Sequence, residues 1–218
     1  MKELISLEHE LEIAKQNLAL RADFNLYDAF KIFDPTNYGS VALIDIQDAF
    51  NSYGVYISRE ESDLILQRYD NNRDARLTFS EFSGMFTPQD RSTAQILQSW
   101  WANVANYPWA EIFVGVTRDY FSSLLWLHIN VEAYAERIRQ RISLRPLFNK
   151  SEAFNTLDWK NASFVTKDQF ADLLARHRFF ATANELGTIM DRFDKDKDGK
   201  VSYHEFVDEI TPHSPAKF

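Results

Sequence analysis

The twelve residues from Asp194 to Glu205, "DKDKDGKVSYHE", constrain this chain more than any other stretch. Asp194, Asp196 and Asp198 alternate, Gly199 follows, and Glu205 closes the run. Three carboxylates so near one another repel unless something positive sits between them. A calcium ion takes six to eight oxygens at about 2.3–2.6 Å, and a loop can supply them from positions one, three, five, seven, nine and twelve. Those positions hold the carboxylates of Asp194, Asp196 and Asp198, the carbonyl of Lys200, the hydroxyl of Ser202 and both oxygens of Glu205. Gly199 permits the left-handed turn that aims the ligands inward. Lys195, Lys197 and Lys200 fall where side chains point outward. The spacing predicts a calcium loop between two helices.

The chain reads onto itself when shifted by 124 residues. "AFKIFD" from Ala29 meets "AFNTLD" from Ala153, and "QRYDNNRDARLTFSEF" meets "DRFDKDKDGKVSYHEF". Ser58 and Glu61 in one copy match Thr182 and Glu185 in the other. Each pair predicts a capping box, in which hydroxyl and carboxylate satisfy the orphan amides of a helix start. Within each copy a shorter step of 36 residues leads from Asp34 to Asp70 and from Asp158 to Asp194. The segments entering these loops carry apolar residues at helical spacing: Phe30 with Phe33, Ile65 with Tyr69, Ile189 with Phe193. Position eight of each loop is Val41, Leu77, Val165 or Val201, the residue expected to form a short strand contact with the paired loop. The repeat predicts that residues 22–90 and 146–213 are two copies of one module.

On these motifs the chain resembles the EF-hand superfamily, and within it the calmodulin-like proteins; the layout also resembles EF-hand proteins of protist cilia and flagella. The resemblance covers roughly two-thirds of the chain. It implies an all-α fold with four helix–loop–helix units in two pairs. A helical insert joins the pairs, and a helix precedes them. The expected divisions are an N-terminal helix over 1–21, a first pair over 22–90, a Trp-rich insert over 91–145, a second pair over 146–213 and a tail over 214–218. The implied cofactor is Ca2+. The implied function is that of a non-catalytic sensor or adaptor engaging a protein partner. The alternative is a structural subunit of a cytoskeletal or ciliary (axonemal microtubule) assembly in which calcium is secondary.

The other loops fall short of the fourth. In the second, "DNNRDARLTFSE", Asp70, Asn72, Asp74, the Arg76 carbonyl, Thr78 and Glu81 are acceptable ligands. Ala75 replaces the glycine, which costs about 1 kcal/mol or more if the left-handed turn is kept. Arg73 and Arg76 also lower the local negative potential, so this is a weaker candidate site. The first loop keeps Asp34 and Gly39 but has Tyr38 at position five, and Asp45 is short for a bidentate grip. The third puts Lys160, Ala162 and Gln169 at positions three, five and twelve. A lysine ammonium competes with the ion. Loops one and three are expected to act as structural partners of two and four.

The insert concentrates Trp100, Trp101 and Trp109 and has few glycines or prolines, which predicts a packed segment rather than a flexible tether. Beyond it Leu124, Leu127, Val131, Tyr134, Ile138 and Ile142 recur at helical spacing and predict one buried face of a helix of about five turns. On this reading Arg137, Arg139, Arg141 and Arg145 are solvated or paired to carboxylates of the helix–loop–helix pairs and tune the docking, and a basic amphipathic helix could also be an element that a lobe grips. Pro146 is expected to close this helix and open the next. Leu4, Leu7, Leu11, Ala14 and Leu18 predict a short N-terminal helix that docks on the first pair by its leucine face rather than forming a free coiled coil.

The remaining sequence excludes several classes. There is no cysteine, hence no disulfide or thiolate metal site. The N-terminal "MKELISLEHELEIAKQ" has no apolar signal core, and "IFVGV" and "LLWL" are too short to span a bilayer. An intracellular, cytoplasmic location is expected, with a cytoskeletal or ciliary one as the alternative. The formal net charge of −8 disfavours nucleic acid. Residues 82–150 hold seven Lys/Arg against five Asp/Glu, so the acidity lies in the loop-bearing parts. There is no phosphate-cradling glycine loop, no His-Glu-x-x-His and no Gly-x-Ser-x-Gly, and His9, His128, His177, His204 and His213 are scattered. No enzyme is expected.

Overall fold

Four helix–loop–helix units form where apolar spacing and caps place them. In the computed structural model, which describes residues 2–99 and 112–214, α1 (Lys2–Ala19) precedes α2 (Leu26–Phe33), β1 (Ser40–Ala42) and α3 (Leu43–Ser52). Next come α4 (Arg59–Tyr69), β2 (Arg76–Thr78) and α5 (Phe79–Phe86). After α6 (Arg91–Ser99) and α7 (Gly115–Ser143), the second set runs α8 (Lys150–Leu157), β3 (Phe164–Val165), α9 (Lys167–Arg176), α10 (Ala183–Phe193), β4 (Val201–Ser202) and α11 (Tyr203–Ile210). The fold is all-α, with two minimal antiparallel ladders among the described residues. Val41 stands opposite Leu77 and Val165 opposite Val201, as the loop register predicts. Trp100, Trp101 and Trp109 lie outside the described residues.

Both expected capping boxes form. Ser58 Oγ accepts from the Glu61 amide at 3.2 Å, and Glu61 accepts from the Ser58 amide at 2.8 Å. Thr182 and Glu185 repeat this at 3.3 and 2.7 Å. Such reciprocal caps fix where α4 and α10 begin, and hence where each helix delivers the chain to its loop.

The described chain divides into two compact units, residues 1–9 with 134–218 and residues 10–133, with boundaries inside α1 and α7. The core of the 10–133 unit is aromatic. Phe24, Phe33, Phe50, Phe82, Phe86, Phe113 and Phe121 are all fully buried. Phe86 stacks on Phe121 at 5.4 Å, and Phe24 meets Phe113 at 5.2 Å. Burying each such ring contributes about 1.5–3 kcal/mol, so α7 is anchored here by Phe121, Leu124 and Leu125. In the other unit Phe154, Phe170, Phe193 and Phe206 form a smaller core within α8–α11.

The faces buried by α1 and α7 differ from the apolar stripes expected. On α7 Val131 is buried, but Tyr134, Ile138 and Ile142 are only half-buried. His128, Glu132, Ala135, Glu136 and Arg139 line the buried side instead. On α1 Leu4, Leu11 and Leu18 are buried as expected, yet Glu8, Glu12 and Lys15 are buried with them, and Leu7 and Ala14 are not. The cause is pairing. Lys15 Nζ donates to the Gly84 carbonyl at 3.1 Å, Glu12 accepts the Gln89 amide at 2.9 Å, and Glu132 forms an ion pair with Arg68. A buried charge is tolerated only with such partners. α7 also ends earlier than expected, at Ser143. Pro146 sits in a turn before Leu147 (φ +65°), and the Asn149 side chain caps α8 by accepting the Ser151 amide at 2.9 Å.

Candidate metal centre

α10 ends at Asp194, which is buried and marks the start of the fourth loop. The Gly199 amide donates to Asp194 Oδ2 at 2.8 Å, with Gly199 at φ +82°, and the Asp198 amide donates to Asp194 Oδ1 at 3.2 Å. The turn that the glycine was expected to permit is therefore made, and it folds the loop around Asp194. Asp194, Asp196 and Asp198 each present a carboxylate oxygen, and these oxygens lie within 4.8 Å of one another. Among the described residues this is the one cluster of its kind.

Glu205 is held differently. Its Oε2 accepts from the Ser202 amide and hydroxyl at 2.8 and 2.7 Å, completing a capping box on α11. Its Oε1 accepts from the Lys195 amide at 2.9 Å and the Asp196 amide at 3.4 Å. One carboxylate thus ties the end of the loop to its beginning. Burial pushes Glu205 up, but these four hydrogen bonds outweigh it and hold the group below the usual carboxylate range. Burial raises Asp194, against the amides of Gly199, Asp198 and Lys197. The lysines leave the ligand positions clear. Lys200 Nζ lies 4.6 Å over the Phe164 ring, Lys197 pairs with Asp191, and Lys195 Nζ faces Glu209 at 3.7 Å. An all-oxygen set with its amides already oriented fits a hard cation of calcium's class.

The second loop repeats this geometry. The Ala75 amide donates to Asp70 Oδ2 at 2.8 Å, and the Asn71 amide donates to Glu81 Oε1 at 3.0 Å. Ala75 keeps the left-handed turn at φ +61°, so the expected strain is present. The Arg76 guanidinium turns away from the ligand positions, donating to Ser40 at 2.6 Å and lying 4.6 Å over Tyr38. Asn72 Nδ2 donates to Asp74 at 3.1 Å, an amide beside a carboxylate where the fourth loop sets Asp196 beside Asp198. In the first loop Asp34 accepts the Tyr38 and Gly39 amides at 2.8 and 2.6 Å, and Asp45 is engaged by the Ala42 amide. In the third loop buried Gln169 accepts the Thr166 amide at 2.8 Å, while its own amide faces Leu157 O at 3.3 Å and Asp158 Oδ1 at 3.5 Å.

Sequence reasoning missed the charges that surround these loops. Arg192 and Arg68, each two residues before a loop's first aspartate, are anchored by Glu8 and Glu132 respectively. Tyr69 Oη meets His128 Nδ1 at 3.1 Å, and His128 Nε2 meets the Met85 carbonyl at 3.0 Å. Burial, with the charges of Lys15 and Arg68, holds His128 well below its ordinary value, so it acts as a neutral connector. The signal was available in the repeat, since Arg68 and Arg192 coincide under the 124-residue shift.

Paired helix–loop–helix units whose twelve-residue loops present oxygen ligands define a class of cation-binding proteins. The EF-hand domain pair matches residues 151–211, the segment that holds the third and fourth loops, and Ca2+ is the cofactor this match implies. Two rice proteins (Oryza sativa subsp. japonica) are similar to it. Probable calcium-binding protein CML11 is 24% identical over 189 residues, 85% of this chain and 65% of that protein. Calcium-dependent protein kinase 9 is 20% identical over 197 residues, 90% of this chain but 25% of the kinase. The chain thus spans less than two-thirds of the length of either relative. A solved homolog of programmed cell death 6 protein from Leishmania major Friedlin is 15% identical, with 87% of this chain and 75% of that chain covered; the TM-score of 0.27 is too low to support a shared arrangement. No helix among the described residues is long and apolar enough to cross a membrane.

Proposed function

We propose that this chain is a non-catalytic calcium sensor or adaptor that acts inside the cell and engages a protein partner. Its principal site is the fourth loop, with Asp194, Asp196, Asp198, the Lys200 carbonyl, Ser202 and Glu205 as ligands. The observation that carries the reading is the convergence of the three aspartate oxygens within 4.8 Å. Such a convergence repels itself unless a cation joins it. The names of the two rice relatives agree with the metal. The second loop, with Asp70, Asn72, Asp74, the Arg76 carbonyl, Thr78 and Glu81, is a weaker site, since Asn72 lowers its charge and Ala75 strains its turn.

Calorimetry on the wild type and on Glu205→Gln tests the site. The wild type is expected to bind with a Kd of about 10⁻⁷–10⁻⁵ M, and the variant far more weakly. Unchanged binding in the variant would place the site elsewhere. Recovery of bound proteins with calcium and with chelator tests the role. A calcium-switched set supports the sensor, whereas a calcium-indifferent cytoskeletal set supports the structural-subunit reading.

A further inference from the structure

Within the unit formed by residues 1–9 and 134–218, three helices meet at one carboxylate. Glu209 Oε1, in the last turn of α11, accepts from Arg192 Nε and from an Arg139 terminal nitrogen, both at 2.6 Å. The Glu209 carbonyl accepts from Arg139 Nε at 2.7 Å. Arg192 also reaches Glu8 Oε1 at 2.5 Å, and Arg139 pairs with Glu136 at 3.3 Å. The side chains of Arg192, Arg139, Glu8 and Glu209 are 1, 4, 4 and 6% exposed. A buried ion network does little for net stability compared with apolar packing, but it admits only a narrow geometry. That geometry includes the fourth loop. Arg192 stands two residues before Asp194, and Glu209 stands four after Glu205, so their pair ties together the helices on either side of it.

The other unit repeats the plan with different side chains. Arg68 stands two residues before Asp70 and pairs with Glu132 of α7. The Met85 carbonyl, which the 124-residue shift superposes on that of Glu209, receives His128 of α7 at 3.0 Å. Each loop-bearing hand is therefore gripped at the same two points, the arginine ahead of its loop and the carbonyl in the last turn after it. Different chemistry at matching positions argues that the positions matter.

We propose that Glu8 and Arg139, acting through Arg192 and Glu209, form a positioning clamp. By it, residues 2–9 of α1 and 134–143 of α7 hold α10 and α11 at the spacing the fourth loop needs for calcium. This rests on the reading of that loop as the calcium site. The sign follows from the geometry: with the clamp made, the loop turn is formed and the three carboxylates already converge. Without it, part of the binding energy of the ion goes into bringing the two helices together. Because coupling between two events is reciprocal, calcium must also tighten the docking of residues 2–9.

The test uses the full chain, with calcium calorimetry and with hydrogen exchange of residues 2–9 in calcium and in chelator. Glu8→Gln and Arg139→Gln are expected to weaken calcium binding at the fourth loop about five- to twentyfold, within the usual range of such couplings. Arg139→Lys should recover part of the loss. Calcium should raise protection of residues 2–9 in the wild type and not in Glu8→Gln, an effect that general destabilisation does not produce. Glu132→Gln, which releases the arginine ahead of the second loop instead, should change fourth-loop affinity less than about twofold. If Arg139→Gln fails to fold, Glu8→Gln carries the test, since it leaves both arginines on Glu209. Wild-type affinity in Glu8→Gln, or lower protection of residues 2–9 in calcium, overturns the clamp. A wild type with no calcium binding that Glu205→Gln removes overturns the calcium reading instead.

Discussion

Exchanging two neighbours on α7 separates apolar from charged docking. The apolar pattern predicts that Ile138→Ala costs more stability than Arg139→Ala, and the structure reverses that order. Arg139 is almost fully buried and makes polar contacts with the Glu209 carbonyl, the Glu209 carboxylate and Glu136. Breaking a buried pair by removing one partner costs about 3–5 kcal/mol. Here the abandoned groups keep other donors: Glu209 retains Arg192 and Lys195, and Glu136 retains the amides of His213 and Ser214. That compensation brings the expected cost to about 2–4 kcal/mol. Ile138 is only half-buried, so Ile138→Ala should cost about half of a core truncation, or about 1–2 kcal/mol. Urea unfolding followed by circular dichroism reads the difference. With a slope of about 2–3 kcal/mol per molar urea, Arg139→Ala should unfold roughly 0.5 M earlier than Ile138→Ala. Arg139→Met, which keeps the alkyl volume, should fall close to the alanine variant if the charge is what matters. A lower midpoint for Ile138→Ala than for Arg139→Ala would refute the reasoning, as would a methionine variant as stable as the wild type.

Three other outcomes are expected. Ala75→Gly removes a left-handed cost of about 1–2 kcal/mol and returns about 0.5–1 kcal/mol as unfolded-state freedom, so it should stabilise slightly; it should also tighten calcium at the second loop in a Glu205→Gln background, and weaker binding there contradicts the account. His128 has its folded pKa lowered by burial and by Lys15 and Arg68, so below about pH 6.5 the unfolded chain takes up a proton that the native state refuses. Its stabilising share is complete above that pH and falls by at most about 1.4 kcal/mol per unit as pH drops toward the folded value; urea midpoints at pH 7.5 and 5.5 should therefore differ less in His128→Gln than in the wild type. Gln169→Leu strips the Thr166 amide of its buried acceptor and should cost about 1–3 kcal/mol while calorimetry still shows the fourth-loop site, and loss of that site would mean that the third loop contributes to it directly.

The loops were legible because their chemistry is local. Asp194 to Glu205 specify a turn, a ligand set and two helix ends within twelve residues, and the capping boxes at Ser58 and Thr182 act over three. The strand register followed too, since position eight is fixed once the loop is fixed. The end of α7 was not legible from Pro146 alone. The cap of the next helix lies at Asn149, and an Arg145–Phe148 turn fits between them.

The faces of α1 and α7 show where such reading stops. Hydrophobic periodicity registers what each side chain prefers against water, which is a property of one residue. It finds Leu4, Leu11, Leu18, Leu124 and Val131, all buried by their own preference. Glu8, Glu132 and Arg139 prefer water when read singly, and nothing within a helical turn of Glu8 announces Arg192, which lies 184 residues further on. Whether a charge is buried depends on a partner, so it becomes visible only when two distant stretches are compared. The internal repeat supplies one such comparison. The second and fourth loops differ at several ligand positions, yet both hands keep an arginine two residues ahead of the first aspartate. An arginine there adds positive charge beside a cation site, which opposes binding unless the guanidinium is neutralised. Glu132 and Glu8 neutralise it from outside the hand. The docking of α1 and α7 is therefore part of the electrostatics of the loops themselves.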